Sequence, residues 1–176
     1  RTLGYLDQYL RNDQIDAGVV LFEDLSTFIT TAQSGDSLTN AFVTRGPILF
    51  GRKVDAQKRL LEGMITSGAL DDAAAVMTRF RKENITLARN LKVSANQPDP
   101  FVDTEFKLQL TRGQTLIAQG NPQKALDLLH PLVEGNQTSS LAMRDDAKRL
   151  RDQVFAELLD KKLSDVERTY DQQAKY

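Results

Sequence analysis

The stretch from Arg112 to Val133, RGQTLIAQGNPQKALDLLHPLV, holds two glycines seven residues apart and an alanine five residues beyond the second. Apolar residues around them recur three and four apart, the period of a helix. A glycine inside a helix costs about 1 kcal/mol against alanine. Gly113 therefore marks a place where a neighbouring helix must come close. Gly120 stands where the chain turns, a position that favours the left-handed conformation open to glycine. Ala125 lies in the returning helix, where a larger side chain would push the pair apart. Together the three residues predict a tight antiparallel helical hairpin.

The same period runs along most of the chain. Helices are predicted from about Thr2 to Arg11, Asp13 to Gln33, Leu38 to Thr44, Pro47 to Ser67 and Leu70 to about Val93. Others run from Asp103 or Thr104, as cap, to Gln119, from Gln123 to Val133, and from Leu141 to Ala174. Asp13 fits an N-cap with Asp16 in the first turn, and Ser37 fits the cap of the short third helix. Ser34-Gly35 and Gly68 are stops. Pro47 is tolerated in a first turn. The stripe Ala73, Val76, Met77, Phe80, Ile85, Leu87, Leu91 marks the buried side of the fifth helix.

Pro98 and Pro100 in SANQPDPFVD cannot continue a helix and form the one obvious linker. Ser139 or Ser140 caps the last helix, whose apolar stripe is Leu150, Val154, Leu158. SDVE at Ser164 to Glu167 fits a capping box, which predicts a kink or fresh start near Leu163 with Val166 and Tyr170 on the buried side. VVLF at Val19 to Phe22 is the best strand candidate. It lies inside a longer helical pattern with no flanking turn signal, and is read as helix.

The expected fold class is all-α: about seven to nine helices as stacked antiparallel hairpins, with a long polar C-terminal helix. The expected organisation is one domain over 1–176. It comprises N-terminal helices (1–46), a hairpin (47–93), the linker (94–103), a second hairpin (104–137) and a C-terminal capping helix (138–176).

Composition narrows the function classes. Of 176 residues, 40 % are hydrophobic and 27 % charged, and the net charge is −1. That balance lacks the basic excess of a nucleic-acid binder. No apolar run is long enough to span a membrane. The absence of cysteine excludes disulfides, thiolate metal sites and cysteine nucleophiles. The chain opens on Arg1 rather than Met, as a trimmed or processed product would, and any leader or anchor would lie outside it. This start gives a lean towards a bacterial periplasmic or envelope setting.

The stretch around Gly113 resembles the tetratricopeptide repeat, a helix–turn–helix unit of 34 residues. With Phe106 opening the repeat, Gly113 and Gly120 fall on the family's two glycines and Ala125 on its alanine. Leu116 takes the tyrosine place, Leu129 the aromatic one and Leu132 an alanine. Gln109 and Gln137 depart from the family's tryptophan and proline. A weaker copy sets Gly68 on the turn, Ala73 five residues later, Leu60 at an apolar position and Met64 at the tyrosine place. There Leu61 replaces the first glycine, with Gly63 nearby. A fainter echo involves Ala17 and Leu21.

The resemblance implies a concave surface lined by first helices that takes an extended peptide or a partner helix. Carried over, the lining positions are Lys107, Leu110, Thr111, Gln114 and Ala118 in the better copy, and Asp55, Lys58, Arg59, Glu62 and Thr66 in the weaker. Lys58, Arg59 and Lys107 would suit an acidic tail or terminal carboxylate.

No catalytic, cofactor or metal site is expected. His130 is the single histidine. It sits before Pro131 on an apolar helix, with no Glu or Asp at the spacing of the HExxH motif, and is read as a partly buried structural residue. Asp71-Asp72 and Asp145-Asp146 fit the first turns of helices, where negative charge is favourable. RGPILFGRK lacks the spacing of a phosphate cradle, and Phe42 and Phe50 are read as core. Arg149, Arg151, Lys161 and Lys162 interleave with acids as on a solvated helix face. The acceptor triplets at Asn84 and Asn136 are read as chance matches. The expected function is a protein-interaction scaffold or adaptor and no enzyme, with self-association through the C-terminal helix. The alternative is a ligand-sensing or regulatory helical domain of a larger signalling protein.

Overall fold

The structure, a computed structural model, describes residues 2–32, 36–94, 97–135, 138 and 140–173. Among these there is no strand. Eight helices follow one another: α1 (Thr2–Arg11), α2 (Ile15–Ala32), α3 (Asp36–Val43), α4 (Arg45–Thr66), α5 (Leu70–Asn90), α6 (Val102–Ala118), α7 (Pro122–Glu134) and α8 (Leu141–Gln173). The all-α expectation holds. The expected stop at Ser34-Gly35, the triplet at Asn136, the place of Gln137 and the cap at Ser139 lie outside the described residues.

Where the sequence reading takes 1–176 as one domain, the chain divides into two compact units, Arg1–Pro100 and Phe101–Tyr176. The boundary falls at the proline linker. In the first unit α1 packs on α2, and α4 packs on α2, α3 and α5. Its core holds Leu6, Phe22, Phe42, Leu49, Phe50 and Val54, closed at one end by Leu91 and Val93. The Phe22 and Phe42 rings stack with centroids 4.0 Å apart. Gly46, in the first turn of α4, admits the carbonyl of Leu91. A Cβ there would lie 1.9 Å from that oxygen.

The second unit is a three-helix assembly in which α6, α7 and α8 all touch one another. Phe106, Leu110, Leu129, Leu132 and Ala147 form its core. The expected hairpin is α6–α7. A Cβ on Gly113 would meet Leu129 Cδ2 at 2.9 Å, and Ala125 is wholly buried. Both hairpin turns use the same device. Gly68 (φ +82°) and Gly120 (φ +72°) take the left-handed conformation. The amide after each donates to the carbonyl five residues back, Ala69 to Met64 and Asn121 to Leu116, both at 2.9 Å. These are Schellman ends, which satisfy carbonyls that the last helical turn leaves open.

Several expectations are corrected. Asp13 is no N-cap: at φ 55° it is the left-handed residue that ends α1, with Gln14 N–H donating to Tyr9 C=O at 2.9 Å. Lys92, at φ 57°, ends α5 in the same way, with Val93 N–H on Ala88 C=O at 2.8 Å. Ser37 falls inside α3 rather than capping it. Asp103 and Thr104 lie inside α6. The Asp103 carboxylate instead accepts from the Thr138 hydroxyl at 2.6 Å. Ile85 is exposed and Asn84 takes the buried place beside it. Leu60 is exposed while Leu61 is buried. Asp145 and Asp146 lie beyond the first turn of α8, and Asp146 pairs with Arg149. Ser140 does cap α8, its hydroxyl accepting from Met143 N–H at 3.4 Å. The kink near Leu163 is absent, because α8 runs unbroken for 33 residues. Ser164 is a helix-interior residue, and Val166 and Tyr170 are exposed, not buried.

Candidate functional site

The last helix changes character along its length. Ala147 is buried against α6 and α7, and of the predicted stripe Val154 is buried while Leu150 and Leu158 are half-buried. Every residue from 159 to 171 is exposed. Those thirteen residues carry the helix about 20 Å further at 1.5 Å per residue. Along them Leu159, Leu163, Val166 and Tyr170 recur four, three and four apart, with Phe155 preceding. Their exposures lie between 48 and 73 %. A helix segment with no tertiary packing is marginal in water, and an apolar row at this spacing is the form a helix presents to another helix. The period was legible in the sequence, but the side it faces was not.

The predicted groove positions are only partly brought to the surface. Asp55, Arg59, Glu62 and Thr66 are exposed along α4, with Lys58 half-buried beside them. Lys107, Gln114 and Ala118 are exposed on α6 and Thr111 is half-buried. Leu110 is a core residue at 9 % exposure, because α6 is covered by both α7 and α8. Thr66 and Thr111 turn their hydroxyls onto the carbonyls of Glu62 and Lys107, 2.8 and 2.9 Å away. Arg59 lies 4.0 Å from the Asp13 carboxylate. The α4 row belongs to the first unit and the α6 row to the second.

A second feature, which the sequence reading missed, lies in the first unit. Gln57 of α4 and Asn84 of α5 are 4 % and 6 % exposed. Asn84 Nδ2 donates to Gln57 Oε1 at 2.9 Å. Gln57 Nε2 and Asn84 Oδ1 then have no partner among the described residues. A buried amide left this way costs about 1–3 kcal/mol. The pair belongs to the wall of a hollow of about 410 Å³ that also takes in Glu23, Lys53, Glu83 and Asn90. Lys53 is held by Asp16 at 2.5 Å, and Asn90 donates to Glu23 at 2.8 Å. Burial of Asn84 in a helix agrees with reading its acceptor triplet as chance.

His130 is exposed, which corrects the expectation of partial burial. Its Nε2 lies 3.3 Å from Glu134 Oε1, a carboxylate one helical turn on. With Leu126, Asp127, Arg151, Asp152 and Phe155 it lines a shallow, largely apolar hollow of about 680 Å³ between α7 and α8. Among the described residues no three His, Asp or Glu side chains gather as metal ligands. Among the same residues no helix is long and apolar enough to cross a membrane.

The most structured ion pair is Arg45–Asp7. The guanidinium donates from Nε at 2.9 Å and Nη2 at 2.8 Å to the two carboxylate oxygens, and Nη1 also reaches the Ala41 carbonyl. Those hydrogen bonds hold the Asp7 carboxyl below its ordinary range, and raise the Arg45 value further. The pair fastens α1 to the start of α4, a structural task.

No protein-family model matches the chain, nor does any curated protein or any solved structure.

Proposed function

We propose that this chain is a protein-interaction module, a scaffold or adaptor of helical hairpins in the tetratricopeptide style, which takes a partner helix or peptide. The observation that carries the reading is the exposed apolar row of α8, set on a helix segment whose residues 159–171 are all exposed. Exposed apolar side chains in a contiguous row mark a surface that is covered in use. The polar rows on α4 and α6 are accessory faces suited to charged peptide segments. The test is a pull-down from the native host with mass spectrometry, comparing wild type with Leu163→Asp/Val166→Asp. Partners that persist on the variant would remove the α8 row from the reading.

The hollow walled by Gln57 and Asn84 supports a second reading, a regulatory helical domain with a small ligand. Its size is at the small end of ligand pockets, and it adjoins an unpartnered donor and acceptor. A thermal-shift screen with small metabolites tests it. A ligand whose stabilisation survives Asn84→Leu would not be bound there.

A further inference from the structure

We infer that the α8 row pairs with the same row of a second copy of this chain, as a parallel, in-register coiled coil. The inference rests on the reading of α8 as an interaction surface and names the occupant. With Leu159, Leu163, Val166 and Tyr170 at positions d, a, d and a of a heptad, Ala156 falls on the preceding a position and Phe155 on the flanking g. The outward positions are polar: Lys161 and Arg168 at f, Glu157, Ser164 and Asp171 at b. Beyond Leu158, a half-buried c position on the bundle side, only the seam is apolar, as a two-stranded coil requires.

Charge at the seam's edges selects the occupant and its direction. Position e carries Asp160 and Glu167, and position g carries Lys162 and Thr169. All four are exposed. In a parallel pair, g of one heptad faces e of the next on the other strand. Lys162 then faces the partner's Glu167, and the symmetry of the pair makes the contact twice. In an antiparallel pair e faces e, which sets Asp160 against Glu167 and destabilises the arrangement. The row therefore complements itself in one orientation only. It spans little more than two heptads, so the association is weak and concentration-dependent.

Sedimentation equilibrium of the full chain tests this. The wild type should pass from monomer to dimer mass as concentration rises. Lys162→Glu and Glu167→Lys should each weaken dimerisation by roughly three- to tenfold, since each replaces two attractions by two repulsions. The double exchange Lys162→Glu/Glu167→Lys should restore it to within about twofold. The chain has no cysteine, so Leu159→Cys and Tyr170→Cys add clean reporters. In the parallel register each variant links to itself under mild oxidation. Circular dichroism checks that the variants stay helical.

A chain that remains monomeric, a double exchange that restores nothing, or crosslinks that need a mixture of the two cysteine variants would each overturn the inference. If the chain is monomeric and Leu163→Asp/Val166→Asp still loses a captured protein, the second copy is excluded while the interaction module stands. If that variant loses nothing either, both fail.

Discussion

The hairpins α4–α5 and α6–α7 end their first helices with the same glycine device, yet they are closed in different ways. Seven residues before the turn glycine, α6 has Gly113 and α4 has Leu61. Nine residues after it, α7 has Leu129 and α5 has Met77. Gly113 receives the Leu129 side chain directly. Leu61 and Met77 are both buried, a large residue and a flexible one in place of nothing and a large one. The tight contact of α4–α5 lies instead at its open end, where Gly46 admits the Leu91 carbonyl. Between turn and open end sits the Gln57–Asn84 amide pair, which has no described counterpart in α6–α7. A common turn therefore fixes the reversal of the chain but not where two helices touch.

Three substitutions break or sharpen that contrast. Gly46→Ala should be the most damaging. The clash is with backbone at 1.9 Å, which no rotamer change relieves, and a loss of about 3 kcal/mol in urea unfolding is expected. A smaller loss would mean that the open end of α4–α5 yields. Next, Gln57→Leu strands Asn84 and should cost about 1–3 kcal/mol, whereas Gln57→Leu/Asn84→Leu should recover most of it. If the double variant is no better than the single, the amide pair is not the polar liability described. Smallest is Gly113→Ala. Overpacking against Leu129 costs about 1–3 kcal/mol while helix propensity returns about 1 kcal/mol. A net loss near 1 kcal/mol is expected, and Leu129→Val should diminish it in a double-mutant cycle. Were Gly113→Ala stabilising, the glycine would have no packing role and the two hairpins would be more alike than their seams indicate.

Gly113, Gly120 and Ala125 were enough to place α6–α7, because a hairpin seam is a local matter of side-chain size and one left-handed residue. Helix bounds followed from period and from the prolines. What the sequence could not yield was the work done by residues that break the usual rules. Asp13 and Lys92 adopt the left-handed conformation without being glycine, so a reading that waits for glycine misassigns them. Asn84 sits in the core because Gln57 meets it from another helix, whereas Ile85, the apolar neighbour chosen by pattern, faces solvent. The resemblance places Leu110 on the surface because it supplies a two-helix frame, and α8 adds a third wall. Val166 and Tyr170 have the right period, but period identifies a face and not what covers it. The candidate site was thus half visible: its residues could be read, its exposure could not.

The unbroken run of α8 also has a mechanical side. A single α-helix with no proline or bulge bends only gently. From Leu141 to Gln173 it measures about 50 Å at 1.5 Å per residue. Its root is fixed where Ala147 and Val154 sit in the core. Once a partner covers the row and holds the segment helical, a pull or twist delivered at Tyr170 would travel down a stiff shaft to that anchorage. In that state the helix would serve as a lever arm, with the grip at its tip and the bundle at its base.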